Sequence, residues 1–215
     1  MAHSSLMVID PSLSHPEIAS FNKIANQCSK SCTYHIPAIT DLDSMIRGLS
    51  KSCGIIILGS ASSVNDRTEW QTALREVIDN SLNNDIPLLG LCFGHQFLAY
   101  HFGGKIDYLW KKEIKKGIRN INMRVNNLID KESKYGLIYS HQEGIVNCPN
   151  DFRIIAESKM VKIEGIEHKS KAIWGFQPHI EASWSFAKRQ GISHQAYQKL
   201  EKSGIQIMQA FLDKI

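Results

Sequence analysis

The chain has 215 residues, 43% of them hydrophobic and 21% charged, and a formal net charge of +4 at pH 7. This balance excludes a disordered or fibrous chain, and so small a positive charge argues against nucleic acid as a partner. The longest apolar runs are far short of the ~20 residues that span a bilayer, and the N-terminus MAHSSLMVID has no apolar signal core. A cytoplasmic protein forming a single domain over residues 1–215, away from membranes, is expected. Five cysteines (Cys28, Cys32, Cys53, Cys92, Cys148) are odd in number and form no CxxC pair, so neither a disulfide framework nor a bound metal is expected, nor any cofactor.

In chain order, LMVID (6–10) reads as a strand running into a loop, and PEIASFNKIANQ (16–27) as a helix with Ile18, Phe21, Ile24 and Ala25 on one face. A strand over Tyr34–Pro37 and a helix over DLDSMIRGL (41–49) follow. CGIIILGS (53–60) is apolar and β-branched, as in a strand covered on both faces of a parallel sheet. The next helix carries Trp70, Ala73, Leu74, Val77, Ile78 and Leu82 at helical spacing, with Asn65 and Asp66 as candidate caps. IPLLGL (86–91) is another buried strand, and GHQFLAYHFGG (94–104) a helix stopped by Gly103-Gly104.

KKEIKKGIRN (111–120), the densest basic segment, reads as a solvated loop, with a docking surface for an acidic partner as the alternative. Beyond residue 118 come short strand-like pieces, INMRV, GLIYS, FRIIAE, MVKIEGIE and KAIWGFQ, and the C-terminal SHQAYQKLEKSGIQIMQAFLDKI reads as helical packing. Strand and helix alternate, which predicts an α/β fold: an open, mostly parallel twisted sheet with helices on both faces and some antiparallel additions.

Ligands of such sheets bind beyond the carboxyl ends of the strands, where Cys92 lies. Gly90-Leu91-Cys92-Phe93-Gly94 is the thiol counterpart of the strand-to-helix turn that exposes a hydrolase nucleophile. Free N–H groups at the start of the following helix favour thiolate over thiol, and the N–H of Phe93 can face an oxyanion. A general base is supplied by QPHIEAS (177–183), where His179 and Glu181, two apart, leave the same face of an extended segment. Glu181 would orient His179, and His179 would exchange a proton with Cys92 and the leaving amine.

Together these residues resemble the class I glutamine amidotransferases, which have a flavodoxin-like open α/β sheet and a Cys-His-Glu triad. IIILGSASSV (55–64) is similar to the family's oxyanion strand and loop, GLCFGHQFLAYHFGG (90–104) to its nucleophile elbow, YSHQEGIV (139–146) to its Ser-His segment and WGFQPHIE (174–181) to its closing His-x-Glu. The resemblance implies Cys92 as nucleophile, His179 as general base and acid, and Glu181 as the orienting group. It implies backbone oxyanion donors at Phe93 and at Gly59 or Ser60, and substrate contacts from Gln96, Ser140 and His141. The architecture is similar to a stand-alone amidotransferase subunit or to the amidotransferase domain fused in guanylate synthetases, with no synthetase domain expected in this chain.

The implied substrate is L-glutamine, cleaved to glutamate and to ammonia that a synthetase partner would consume. A partner-independent hydrolase of γ-glutamyl peptides or amides, and a catalytically weak binding or regulatory homologue, are the alternatives. Two departures from the family pattern bear on this. Gly59-Ser60-Ala61-Ser62-Ser63 replaces Gly-Gly-Pro-x-Ser, so a less rigid loop, able to move when a partner docks, is expected. Pro178 precedes the histidine where the family has proline after it, so an altered approach of His179 to Cys92 is expected.

Overall fold

The computed structural model describes residues 4–40 and 42–215. Five strands form the parallel half of a nine-stranded sheet: β1 (Ser5–Ile9), β2 (Ser31–His35), β3 (Ser52–Ile57), β4 (Leu88–Leu91) and β11 (Ile173–Phe176). β6 (Lys115–Met123), β7 (Ser133–His141), β9 (Phe152–Glu157) and β10 (Gly165–His168) continue it antiparallel, in the order β2-β1-β3-β4-β11-β10-β9-β6-β7. The expected antiparallel additions thus amount to almost half of the sheet. β5 (Lys105–Tyr108) and β8 (Glu143–Asn147) pair separately.

Successive strand residues point to opposite faces, and the apolar runs fill both. Met7, Ile9, Ile55, Ile57 and Leu88 face the layer of α2 (Asp43–Gly48), α3 (Glu69–Asn83) and α4 (Phe93–His101). Leu6, Val8, Ile56, Leu58, Leu89 and Leu91 face α1 (Ile18–Gln27) and α6 (His194–Leu212), whose Ile24, Ile207, Met208 and Phe211 are fully buried or nearly so. The short α5 (Trp184–Arg189) adds Phe186 and Ala187 to a smaller cluster around Ile138.

Several sequence expectations shift. Ile18 opens its helix beyond the sheet and is 55% exposed, so α1 packs through Ile24 with Phe21 beside it. The second strand lies at Ser31–His35, because pairing with β1 runs Ser5 to Ser31 and Ile9 to His35. The helix expected over 41–49 spans Asp43–Gly48, with Asp41 outside the described residues. Thr68, not Asn65 or Asp66, occupies the N-cap position of α3; Asp66 instead accepts hydrogen bonds from Ser62 and Ser63. In MVKIEGIE only the end is strand, since residues 160–163 form a connection that buries Val161 and Ile163.

The basic segment 111–120 is loop only over residues 111–114, and the rest is strand. Lys111 and Lys112 have φ of 49° and 70°, and the Glu113 N–H bonds the Trp110 carbonyl at 2.8 Å, which makes a tight turn with both central residues left-handed. From Lys115 onward the chain is β6, with Lys116 and Ile118 outward and Arg119 and Ile121 inward.

A methyl group at Gly94 would lie 2.3 Å from the Ile57 carbonyl oxygen, and one at Gly90 2.5 Å from the Gly94 oxygen. β3, β4 and the start of α4 are therefore in backbone contact at the point where the chain turns from strand to helix. Gly94→Ala is expected to lower stability by ~1–3 kcal/mol through overpacking against atoms that cannot swing aside. Urea denaturation measures this, and an unchanged midpoint would contradict the contact.

Candidate functional site

Cys92 sits at that turn with φ 51° and ψ −100°, a conformation rarely adopted by a residue with a side chain. Hydrogen bonds hold it there: Cys92 N–H to the Phe176 carbonyl at 2.9 Å, Gln96 N–H to the Cys92 carbonyl at 3.1 Å, and Gly94 N–H to the Leu58 carbonyl at 3.3 Å. The thiol is 4% exposed yet lines a cavity of about 340 Å³ at the carboxyl ends of β1, β3, β4 and β11. That is the low end of the range for small-molecule pockets, suited to a ligand of amino-acid size.

His179 and Glu181 line the same cavity, both buried, with His179 Nδ1 2.8 Å from Glu181 Oε1. They belong to a turn after β11 rather than to an extended segment: the Ala182 N–H bonds the His179 carbonyl at 3.3 Å and the His179 N–H bonds the Ile138 carbonyl at 2.9 Å. The two side chains meet because the turn closes on itself. Pro178 leaves this pair intact, and Ile180 takes the place of the family's proline as a buried core residue. A methyl group on Gly59 would lie 2.8 Å from His179 Cε1 and 3.5 Å from Cys92 Cβ, so the ring and the thiol converge over a bare Cα. Burial alone would strip His179 of its proton, but Cys92 and Glu181, both within its electrostatic reach, outweigh burial and raise its pKa well above the ordinary value.

The loop 59–63 is better anchored than its small residues suggest. Ser60 Oγ–H donates to the Pro11 carbonyl at 2.7 Å, Ser62 Oγ–H to Asp66 at 2.6 Å, and Ser63 Oγ–H to Glu143 Oε1 at 3.0 Å. Gln71 Nε2 reaches back from α3 to the Ser63 carbonyl at 2.7 Å. The N–H groups of Gly59, Ser60 and Phe93 make no hydrogen bond among the described residues, as donors reserved for a ligand would. A second wall, residues 12–17, is pinned by fully buried Asp10, whose carboxylate accepts from Ser12, from the Glu17 N–H at 2.6 Å and from the Tyr34 hydroxyl at 2.5 Å.

The third wall comes from the end of β7. Ser140 lines the cavity, its carbonyl 3.9 Å from Cys92 Sγ. His141 is buried, with Nε2 3.2 Å from Arg119 Nη1 and Nδ1 2.8 Å from the Glu143 carbonyl. Arginine only donates, so Nε2 accepts and the proton lies on Nδ1. Burial, with Arg119 and His179 adding positive charge nearby, pushes the His141 pKa down to about 4. His95 is fully buried and pushed to about 3, chiefly by burial. Both shifts run opposite to that of His179.

Gln96 is buried and lines the cavity, so it is no helix-surface residue. Its Nε2 donates to the Glu143 carbonyl at 2.8 Å and to Gln177 Oε1 at 3.1 Å. The structure thus gathers every residue singled out in the sequence, Cys92, His179, Glu181, Gly59, Ser60, Gln96, Ser140 and His141, around one cavity, with Phe93 beginning the helix beside it. Sequence reasoning missed Glu143, Gln177 and the buried pair Arg119–Glu164, 2.9 Å apart. Gln177 opens the Gln-Pro-His-Ile-Glu motif and Glu143 lies within the YSHQEGIV segment, but no local pattern marked Arg119 or Glu164. Among the described residues there is no cluster of three or more potential metal ligands and no helix long and apolar enough to cross a membrane.

The family model for class-I glutamine amidotransferases matches residues 19–198. A glutamine-hydrolyzing GMP synthase subunit of Methanococcus maripaludis is 30% identical over 151 residues, 69% of this chain and 74% of that protein. The glutamine-hydrolyzing GMP synthase of Phocaeicola vulgatus is 30% identical over 129 residues, 60% of this chain, but the chain spans only 24% of that relative's length. Among solved structures, a glutamine amidotransferase from Thermotoga maritima has a TM-score of 0.78 at 18% identity, covering 98% of this chain and 97% of that one, and so shares its flavodoxin-like fold.

Nitrogen NMR of the imidazoles at about pH 6 is expected to find His95 and His141 neutral, His141 with its proton on Nδ1, and His179 carrying both protons. A His141 that titrates like a free imidazole would contradict the pairing with Arg119.

Proposed function

The chain belongs to the class I glutamine amidotransferase family, and from that premise we propose that it hydrolyses the side-chain amide of L-glutamine through a thioester on Cys92, releasing ammonia for a synthetase partner. The observation that carries this reading is the convergence of a left-handed Cys92 and a buried His179–Glu181 pair over Gly59. With the proton resting on His179, the sulfur attacks the amide carbon, and the carbonyl electron pair moves onto oxygen beside the N–H groups of Phe93 and of Gly59 or Ser60. Collapse of that intermediate expels the amine, which takes the His179 proton and leaves as ammonia. His179 then removes a proton from water, whose oxygen attacks the thioester and frees glutamate and Cys92. Glu181 holds the ring and balances its charge throughout.

Glu143 supplies the recognition of the substrate's α-ammonium in this reading. Of the carboxylates lining the cavity, Glu181 is taken by His179 and Glu17 by Arg189, whereas among the described residues the Glu143 side chain is hydrogen-bonded only by the neutral Ser63 hydroxyl. Gln96 and His141 both hold the Glu143 carbonyl and so set where its side chain starts. A synthetase partner is supported by the names of the relatives, several of which are separate subunits of GMP synthase. The anchored loop 59–63 speaks against a site that is assembled only when a partner docks.

Cys92→Ala is expected to abolish ammonia release, and His179→Ala to slow acylation by ~10²–10⁴-fold. Glu143→Gln is expected to raise KM for glutamine about tenfold or more with kcat nearly kept, since a charged hydrogen bond to the substrate is lost. Burial raises the Glu143 pKa, with Asp66 and Asp107 adding to it against the Ser63 hydroxyl. Because the ionised form binds the ammonium, KM should climb as pH falls through that raised pKa, sooner than for an ordinary carboxylate. Ammonia release from glutamine and from γ-glutamyl dipeptides tests the substrate directly. Rapid cleavage of the dipeptides with glutamine a poor substrate would replace this reading by a γ-glutamyl hydrolase.

A further inference from the structure

Gln177, fully buried and outside the Cys-His-Glu set, has its Nε2 3.6 Å from Cys92 Sγ. Which end of its amide faces the sulfur follows from its neighbours. The Glu143 main-chain carbonyl can only accept, so the Gln96 group 2.8 Å from it is the NH₂. That same NH₂ lies 3.1 Å from the Gln177 side chain, which must present its oxygen there and turn its own NH₂ to Cys92. The Glu143 carbonyl is itself held by His141 Nδ1–H, and His141 Nε2 by Arg119, which is anchored on Glu164. A buried run of hydrogen bonds therefore leads from a permanent cation in β6 to the sulfur, each orientation fixed by a group that can only donate or only accept. The Gln177 backbone is fixed as well, its N–H bonding the Glu164 carbonyl at 2.8 Å.

We propose that Gln177 is a further catalytic residue: its side-chain N–H donates to the Cys92 sulfur, favours the thiolate over the thiol and holds it in the orientation for attack. Neutral amide donors suit this role, because they stabilise the negative sulfur without supplying a proton that could neutralise it. His179 remains the group that carries the proton. The titratable groups that share the cavity with the sulfur include His179, backed by Glu181, in the turn after β11, His141 at the end of β7, Glu143 at the start of β8 and Glu17 in the 12–17 wall; among them His179 is the one whose charge favours the thiolate, and the donor from Gln177 acts beside it. This proposal rests on Cys92 being the nucleophile, and it concerns what sets that thiol's reactivity before any substrate arrives.

The test is the pH profile of alkylation by iodoacetamide, followed on the Cys92 peptide by mass spectrometry in the full chain without glutamine. Gln177→Met keeps the length of the side chain and removes the donor. Its midpoint is expected to rise by about one pH unit, so that about tenfold less thiolate is present at a given pH below the midpoint, while the rate at high pH is kept. Gln177→Asn withdraws the same amide by one methylene and should shift the profile in the same direction; it serves if the methionine variant does not fold, as judged by circular dichroism. A midpoint unmoved in a folded variant overturns the proposal. The readout uses no glutamine, so an enzyme that proves inactive on glutamine still reports on Gln177. Conversely, an unmoved profile alongside glutamine hydrolysis that depends on Cys92 would refute the role of Gln177 alone.

Discussion

Everything at the site depends on one turn of backbone that only close packing can hold. A residue with a side chain at φ 51° and ψ −100° costs on the order of 1–3 kcal/mol, so Cys92 keeps it only because its surroundings leave no alternative. The Phe176 and Leu58 carbonyls, from or next to the two strands flanking β4, accept from Cys92 and Gly94. Gly90 and Gly94 let those backbones touch. At the same turn the Phe93 N–H beside the thiol has no partner among the described residues. Geometry useful for catalysis and geometry costly for folding are here one feature.

The two halves of the sheet contribute differently. The parallel half delivers Cys92, the loop after β3 and the His179–Glu181 turn, because parallel strands end on the same side. The antiparallel half brings β7 back toward that side and supplies Ser140 and His141, with Arg119 of the neighbouring β6 braced behind them by Glu164, Trp110 and Tyr139; Glu143 follows at the start of β8, in the separate two-stranded sheet. Imidazoles from the two halves are shifted in opposite directions. Burial, with a guanidinium and His179 nearby, lowers the pKa of His141, whereas Cys92 and Glu181 overcome burial and raise that of His179. Sequence position says nothing of this; the neighbours decide it.

Short-range patterns made much of this legible from sequence. The β-branched run at 55–57, the glycines on either side of Cys92 and the His-x-Glu spacing are local signals, and at Gly90 and Gly94 close backbone contact itself imposes the residue type. What stayed hidden depends on contacts between distant residues. Nothing near Ser63 announces that its hydroxyl will meet Glu143, so loop 59–63 read as loose when it is anchored at three serines. The lysines around Arg119 gave the appearance of a solvated loop, masking an alternation in which Arg119 and Ile121 point inward. His179 and Glu181 were expected to share a face of an extended segment; they meet in a turn, a case where the right pair followed from the wrong local geometry.

In the proposed reaction this one thiol, set by its turn, is the nucleophile toward a γ-glutamyl carbonyl. The direct measurement is intact-protein mass spectrometry with peptide mapping after treatment with a glutamine analogue whose side-chain amide is replaced by an electrophilic ketone. A single adduct per chain, on Cys92, is expected, with labelling slowed by excess glutamine. Adducts on Cys28, Cys53 or Cys148 that remove activity, or an unlabelled Cys92 in a chain that still hydrolyses glutamine, would contradict it.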